Sequence, residues 1–289
     1  MSENAGTIGE IWRYPVKSMI GERVASSALG KGGIPGDRAW AVRDEKVGAI
    51  RGAKKIPALM KLAACYPAEP RAAQAGPAEI ALPDGERFSC DAADADARLS
   101  AALDRKVTLW PLQPADKLDH YRRGAPDHED LEQELRSLFA LLPEEPLPDL
   151  SGLPPEVFEF ESPPGTYFDA FPLLVLSTSS LAELARLAPD STIDVRRFRP
   201  NILIDSGTQR SGFVELEWVG KRLRVGSAVI EIKADCPRCV MTTLPFADLP
   251  HDPTIMRTLV RDAKQVLGVY ADVVEAGEMS EGDAVELVG

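Results

Sequence analysis

Proline and glycine interrupt this sequence too often for long regular elements: 24 prolines and 22 glycines fall within 289 residues, and the proline share exceeds the ordinary ~5%. Each proline removes a backbone donor, and each turn glycine admits backbone conformations closed to other residues. The apolar segments between them are short, so the chain is expected to be built mainly from strands. In the first half such segments lie at 8–14, 39–43, 60–66, 79–82, 87–90 and 106–112, with Pro83-Asp84-Gly85 as a hairpin turn. The period changes near residue 130. Leu131, Leu135, Leu138, Phe139 and Leu142 recur at spacings of three and four behind Asp127 as a cap, which predicts a helix over 128–142.

Residues 143–166 are rich in proline and acidic side chains and have little periodicity, so they read as an extended connection. A first domain of 1–142 and a second of 143–289 follow from that boundary. Strands are expected in the second half at 171–177, 201–205, 214–218, 222–225, 228–234, 267–275 and 284–288. Two helices interrupt them. One carries Leu181, Leu184, Leu187 and Ala188 behind a Ser180–Glu183 capping box, and the other opens at Asp252-Pro253 and carries Ile255, Met256, Leu259 and Val260. The fold class is thus mixed and predominantly β, with a few helices.

Thirty-three lysines and arginines against 45 aspartates and glutamates leave a net charge of -12. Such a surface repels nucleic-acid phosphates and anionic lipid, so neither is expected as a partner. Apolar runs such as 173–176 fall far short of the ~20 residues a bilayer span needs. The N-terminal MSENAGTIGE has neither a basic nor an apolar signal region, and a cytoplasmic location is expected. Four cysteines are too few for a disulfide framework. No phosphate-binding glycine loop and no nucleophile elbow occurs, which removes P-loop ATPase, Rossmann dehydrogenase and α/β-hydrolase readings. His120, His128 and His251 lie in polar, exposed-looking sequence without ligand spacing and receive no catalytic role.

Cys236-Pro237-Arg238-Cys239, at the end of an expected strand, carries the most chemistry. It admits half of a zinc site, a dithiol pair, a single thiolate for a softer metal, or two ordinary buried cysteines. Zinc is disfavoured because Cys65 and Cys90 stand alone in the other half; a thioredoxin-like pair is disfavoured because Val240-Met241-Thr242-Thr243 reads as strand rather than helix. Arg238 beside the thiols suits thiolate ligation and can hold an anion. Arg196-Arg197-Phe198-Arg199-Pro200-Asn201 concentrates three guanidinium groups in an acidic protein, and arginine matches phosphate bidentately. A solvated turn is the plain alternative. Tyr14-Pro15-Val16-Lys17-Ser18 and Gly36-Asp37-Arg38 add a cation, a hydroxyl and a second guanidinium at turns, and the helix start at 177–180 offers free N–H groups.

Taken in this order, YPVKS, GDR, RFRPN and CPRC followed by VMTT resemble the MOSC family with its N-terminal β-barrel extension. These proteins are similar to the C-terminal part of molybdenum cofactor sulfurases and to the mitochondrial amidoxime-reducing component. The resemblance implies a β-barrel MOSC domain preceded by a β-barrel-like domain. It implies Cys239 as molybdenum ligand, with Lys17, Ser18, Arg38, Ser180, Arg197, Arg199 and Asn201 binding the pterin and its phosphate. Asp169 matches an acidic residue near the metal that tunes proton delivery, and Cys236 then supports the site or packs structurally. The implied cofactor is molybdenum cofactor, Mo-molybdopterin. The implied activity is reduction of a small N-hydroxylated substrate with electrons from a separate ferredoxin- or flavin-type reductase. The alternative is a non-catalytic carrier of cofactor or of sulfur on Cys239.

Overall fold

The computed structural model describes residues 3–70 and 75–288. Its first part contains β1 (Glu3–Arg13), β2 (Glu22–Val24), β3 (Ser26–Leu29), β4 (Trp40–Asp44), β5 (Ala49–Ile50), β6 (Ala63–Cys65), β7 (Glu79–Ala81) and β8 (Arg87–Ser89). These lead to α1 (Ala95–Ala102), β9 (Val107–Pro111), α2 (Leu118–Tyr121) and α3 (Leu131–Phe139). After α4 (Glu156–Glu159) come β10 (Leu173–Ser177), α5 (Thr178–Leu187), β11 (Ile202–Asp205), β12 (Arg222–Val225) and β13 (Ala228–Pro237). The chain ends with α6 (Pro253–Ala263), β14 (Val266–Glu275), β15 (Gly277–Ser280) and β16 (Ala284–Val288).

Seven strands close a barrel in the order β11-β10-β14-β13-β12-β16-β1, with β1 pairing back onto β11. Closure leaves no barrel edge unpaired. All neighbours are antiparallel except β10 and β11, whose parallel register needs the crossover that α5 supplies. Ile202 and Ile204 on β11, and Ile230 and Ile232 on β13, point inward two residues apart and fill the barrel beside Ile8, Ile11 and Val269. The strand that comes first in sequence is therefore held between β11 and β16, in the barrel built otherwise from the second half.

Two small sheets, β5-β4-β9 and β6-β7-β8, pack over a second core that includes Met19, Val42, Leu59, Ile80 and Leu99. Met241, Leu244 and Phe246, which follow Cys239, insert into this same core. The two halves are thus joined by shared apolar packing at the place where the CPRC segment lies. Gly36, at φ 78, makes the turn before Asp37 and Arg38; a Cβ there would stand 2.6 Å from the Tyr66 ring. Only glycine combines that backbone with that approach.

Several local expectations are corrected. Residues 214–218 form a 3-10 turn rather than a strand, because Glu215 and Trp218, three apart, are both buried. Val240–Thr243 is also a 3-10 turn: the Thr242 and Thr243 hydroxyls donate to the carbonyls of Cys239 and Val240, tightening the backbone that β-branching alone suggested was extended. Residues 57–61 turn before the short β6 begins. The helix expected over 128–142 runs only from Leu131 to Phe139; Asp130 caps it, Ala140 ends it at φ 52, and Asp127 pairs with Lys55. Ser177, rather than Ser180, caps α5, and Glu183 bonds Arg186. His120 is buried, with its Nε2 2.7 Å from the Tyr167 hydroxyl, and burial lowers its pKa.

Candidate functional site

One cavity of about 370 Å³ opens at the seam between the two cores. Nine lysine and arginine side chains line it against three carboxylates, an inversion of the overall charge of -12. Lys17, Ser18, Arg38, Asp169, Arg197, Arg199, Asn201 and Cys239 all line it, so the structure brings together every predicted site residue except Ser180. Ser180 is fully buried elsewhere, its hydroxyl donating to Glu215 Oε2 at 2.5 Å. Its N–H donates to the capping Ser177 hydroxyl, so it offers no free group to a ligand.

The placement of each side chain follows from local backbone. Cys239 leaves β13 in extended conformation, φ -120 and ψ 178, and caps the following 3-10 turn, with its side chain half-buried. Cys236 is buried on the same strand, and burial raises its thiol pKa. Ser18, Arg38 and Arg199 adopt left-handed backbone at φ 68, 50 and 56. The Arg38 and Arg199 guanidinium groups both lie over the Tyr14 ring, 4.9 and 4.1 Å from its centroid. Arg199 also donates to the Met19 carbonyl, and its burial lowers its pKa to about 10, still charged at neutral pH. Asn201 both donates and accepts: its amide nitrogen bonds Asp37 Oδ2 at 3.1 Å, and its oxygen accepts from the Leu174 N–H at 3.2 Å. Asp37 in turn pairs with Arg38 and accepts the Tyr14 N–H at 2.7 Å.

Asp169 Oδ1 pairs with Lys17 Nζ at 2.6 Å, and its other oxygen lies 3.7 Å from Lys54 Nζ. Burial works against the Asp169 charge, but Lys17, Lys54 and Arg38 outweigh it and hold the carboxyl well below its ordinary pKa. The Lys17 ammonium is pushed down by burial, with Asp169 partly restoring it. Lys17 also donates to the Tyr167 carbonyl at 3.0 Å. Arg197 spends its guanidinium on the carbonyls of Thr192, Thr242, Leu244 and Pro250, and so acts as a cross-brace under the Cys239 turn rather than as a free anion ligand. Arg196, from the same cluster, pairs with Asp194 and Asp248.

Four cavity cations, Arg51, Lys54, Lys55 and Arg123, escaped the motif reading. Lys54 carries no spacing signal and reaches Asp169 only through the fold. Arg238 sits inside CPRC, 6% exposed; its Nη1 donates to the Phe198 carbonyl at 3.1 Å, while Nε and Nη2 are buried with no partner among the described residues. A buried guanidinium with two unanswered donors, on a residue that borders a cation-lined cavity, fits an anionic group such as a phosphate. A half-buried cysteine in the same cavity fits a soft, high-valent metal. The donor set therefore suits a phosphorylated, metal-bearing ligand.

The sequence matches the MOSC domain over residues 163–286 and the MOSC N-terminal beta barrel domain over residues 5–119. The chain is a MOSC-family protein with an N-terminal MOSC barrel domain. It is 26% identical over 311 residues to mitochondrial amidoxime reducing component 2 of Bos taurus, covering 98% of this chain and 83% of that protein. It is also 32% identical over 100 residues to molybdenum cofactor sulfurase of Drosophila grimshawi, covering 34% of this chain and 12% of that protein. The crystal structure of the YUAD protein from Bacillus subtilis aligns with 99% of this chain and 98% of its own at 13% identity and a TM-score of 0.44. The relatives by sequence support a function related to the molybdenum cofactor.

Proposed function

We propose that this protein binds molybdenum cofactor and reduces small N-hydroxylated compounds with electrons from a separate ferredoxin- or flavin-type donor. The observation that carries the reading is the convergence on one cavity of a half-buried Cys239, the orphaned Arg238 guanidinium and the Asp169–Lys17 pair. Cys239 supplies a thiolate ligand, while Arg38, Arg199 and Arg238 are the cations suited to the ligand's phosphate. Bound there, the cofactor would supply two-electron oxygen-atom chemistry that the side chains cannot perform alone. In the overall reaction the N–O bond breaks, and two electrons and two protons convert the oxygen to water. Asp169 stays ionised and fixes the Lys17 ammonium, so a proton at this pair resides on Lys17 Nζ, a stronger acid than an ordinary lysine because it is buried.

Elemental analysis of protein from a molybdate-replete host, with a benzamidoxime assay using an artificial electron donor, tests the reading. About one molybdenum per chain, lost in Cys239→Ser, together with turnover is expected. Stoichiometric zinc in both proteins, or molybdenum unaffected by the substitution, overturns it. Molybdenum without turnover converts the enzyme into a carrier.

A further inference from the structure

The family matches end at residue 119 and resume at 163, and the stretch between them builds a wall of the cavity. Helix α3 is strongly amphipathic, yet the residue it buries is the acidic Glu134. Its Leu135, Leu138 and Phe139 are only half-buried and line the cavity, facing no packed core. Leu153, Val157 and Phe158, from the segment after the helix, line the same space, and Phe158 is 60% exposed. An apolar helix face normally packs into a core, and here it borders a cavity instead.

The wall is held in place from both halves. Lys55 pairs with Glu134 and with Asp127 ahead of the helix. Arg257 on α6 pairs with Glu145 and donates to the carbonyl of Ala140, the residue that ends α3. The cavity is therefore chemically mixed: fixed cations and Cys239 share it with a hydrocarbon patch from 120–162, a segment that also contributes Arg123, Glu134 and Glu161.

Resting on the reading proposed above, we infer that the segment 120–162 is a specificity wall, and that the substrate is an N-hydroxylated compound with an aromatic or bulky apolar body. The body lies against Leu135, Leu138 and Phe158, which directs the polar N-hydroxyl group toward Cys239 and Lys17. A small-molecule site of this kind combines apolar walls with a few placed polar groups.

The test compares benzamidoxime with acetamidoxime, which share the reacting group and differ in apolar body. Turnover by the molybdenum-loaded protein is measured beside calorimetric binding to the loaded protein and to Cys239→Ser. The wild type is expected to favour benzamidoxime in both measurements. Leu135→Ser/Leu138→Ser should cut kcat/KM for benzamidoxime about tenfold, mostly through KM, and leave acetamidoxime unchanged. Phe158→Ser, at an exposed position outside α3, should show the same selectivity more weakly and guards against a helix that merely unfolds. Equal losses on both substrates, no loss on either, or equal binding of both by the wild type overturns the inference. Selective binding without turnover of either substrate leaves the wall intact and sinks the reductase reading instead.

Discussion

Replacing Arg238 with methionine separates the needs of the ligand from those of the fold. The guanidinium is 6% exposed and keeps one hydrogen bond, to the Phe198 carbonyl at 3.1 Å, beside the Phe198 ring at 5.6 Å. Losing a bond from a charged donor costs about 1.5–3 kcal/mol. Burying a charge whose other donors are unanswered costs several kcal/mol, and an apolar residue of similar length removes that penalty. The second quantity exceeds the first, so the cofactor-free Arg238→Met protein should be more stable than the wild type by about 1–2 kcal/mol. For a chain of this size that is a rise of a few degrees in Tm, on the order of 2–4 °C per kcal/mol. Molybdenum content should fall, because the same two donors are what an anion would satisfy. Thermal scans of protein made without molybdate, beside elemental analysis of protein made with it, measure both effects. A cofactor-free variant that melts several degrees below the wild type would refute the reasoning, since it would mean that the guanidinium is already satisfied in the empty protein.

Asp169→Asn leaves the buried Lys17 with the Tyr167 carbonyl as its remaining partner. Because Asp169 is 45% exposed and solvent screens the pair, the loss at neutral pH should be only about 1 kcal/mol. The folded pKa of Asp169 is depressed, so its contribution is present above the unfolded value near 3.8 and disappears as pH falls through the folded one; melting curves of the two proteins should converge there. Glu215 has the opposite sign: burial raises its pKa despite bonds from Ser177, Ser180 and the Gly268 N–H. The folded state therefore holds this proton more tightly, and wild-type stability falls as pH rises from 4.5 through the folded pKa, a slope that Glu215→Gln should flatten in Tm measured against pH. At Arg199, φ 56 penalises any residue with a Cβ, so Arg199→Gly should be about 1 kcal/mol more stable than Arg199→Ala, although both lose the side chain; equal melting temperatures would deny that the backbone there is strained.

Elements set by local chemistry were legible in the sequence. Asp252 caps α6 by accepting from the Thr254 N–H, with Pro253 at its first position, as that dipeptide implies. Pro83-Asp84-Gly85 turns between β7 and β8, with Gly85 at φ 90. What escaped reading was set by distant partners. Alternation in Val214–Trp218 suggested a strand, but Glu215 is drawn inward by the Ser177 hydroxyl at the end of β10, the Ser180 hydroxyl on α5 and the Gly268 N–H on β14. His120 looked exposed because its neighbours in sequence are charged, whereas Tyr167 covers it from 47 residues away. The apolar stripe of α3 was plain, but no periodicity reveals whether such a stripe meets a core or a cavity. For the site, cations at turns could be singled out. Which were free for a ligand could not, since Arg197 is consumed by four carbonyls whereas Arg238, inside CPRC, is left with two donors open among the described residues.

The left-handed residues explain why these cations are fixed rather than mobile. Ser18, Arg38 and Arg199 each hold a backbone conformation that costs a residue with a Cβ about 1–2 kcal/mol and that glycine would adopt freely. Each is held there by a specific bond: the Ser18 hydroxyl accepts the Ala53 N–H at 2.9 Å, the Arg38 N–H donates to the Tyr14 carbonyl at 2.7 Å, and the Arg199 guanidinium donates to the Met19 carbonyl. These bonds cross between segments far apart in sequence, so the strain is sustained by the same shared core that joins the two halves. Arg38 and Arg199 both come to lie over the single Tyr14 ring. Asp37 pairs with Arg38 and its charge supports that guanidinium, while burial is the main cost at Arg199. Backbone strain at Ser18, Arg38 and Arg199 and the unanswered donors of Arg238 thus gather at one cavity, where the fold holds its cations in set positions.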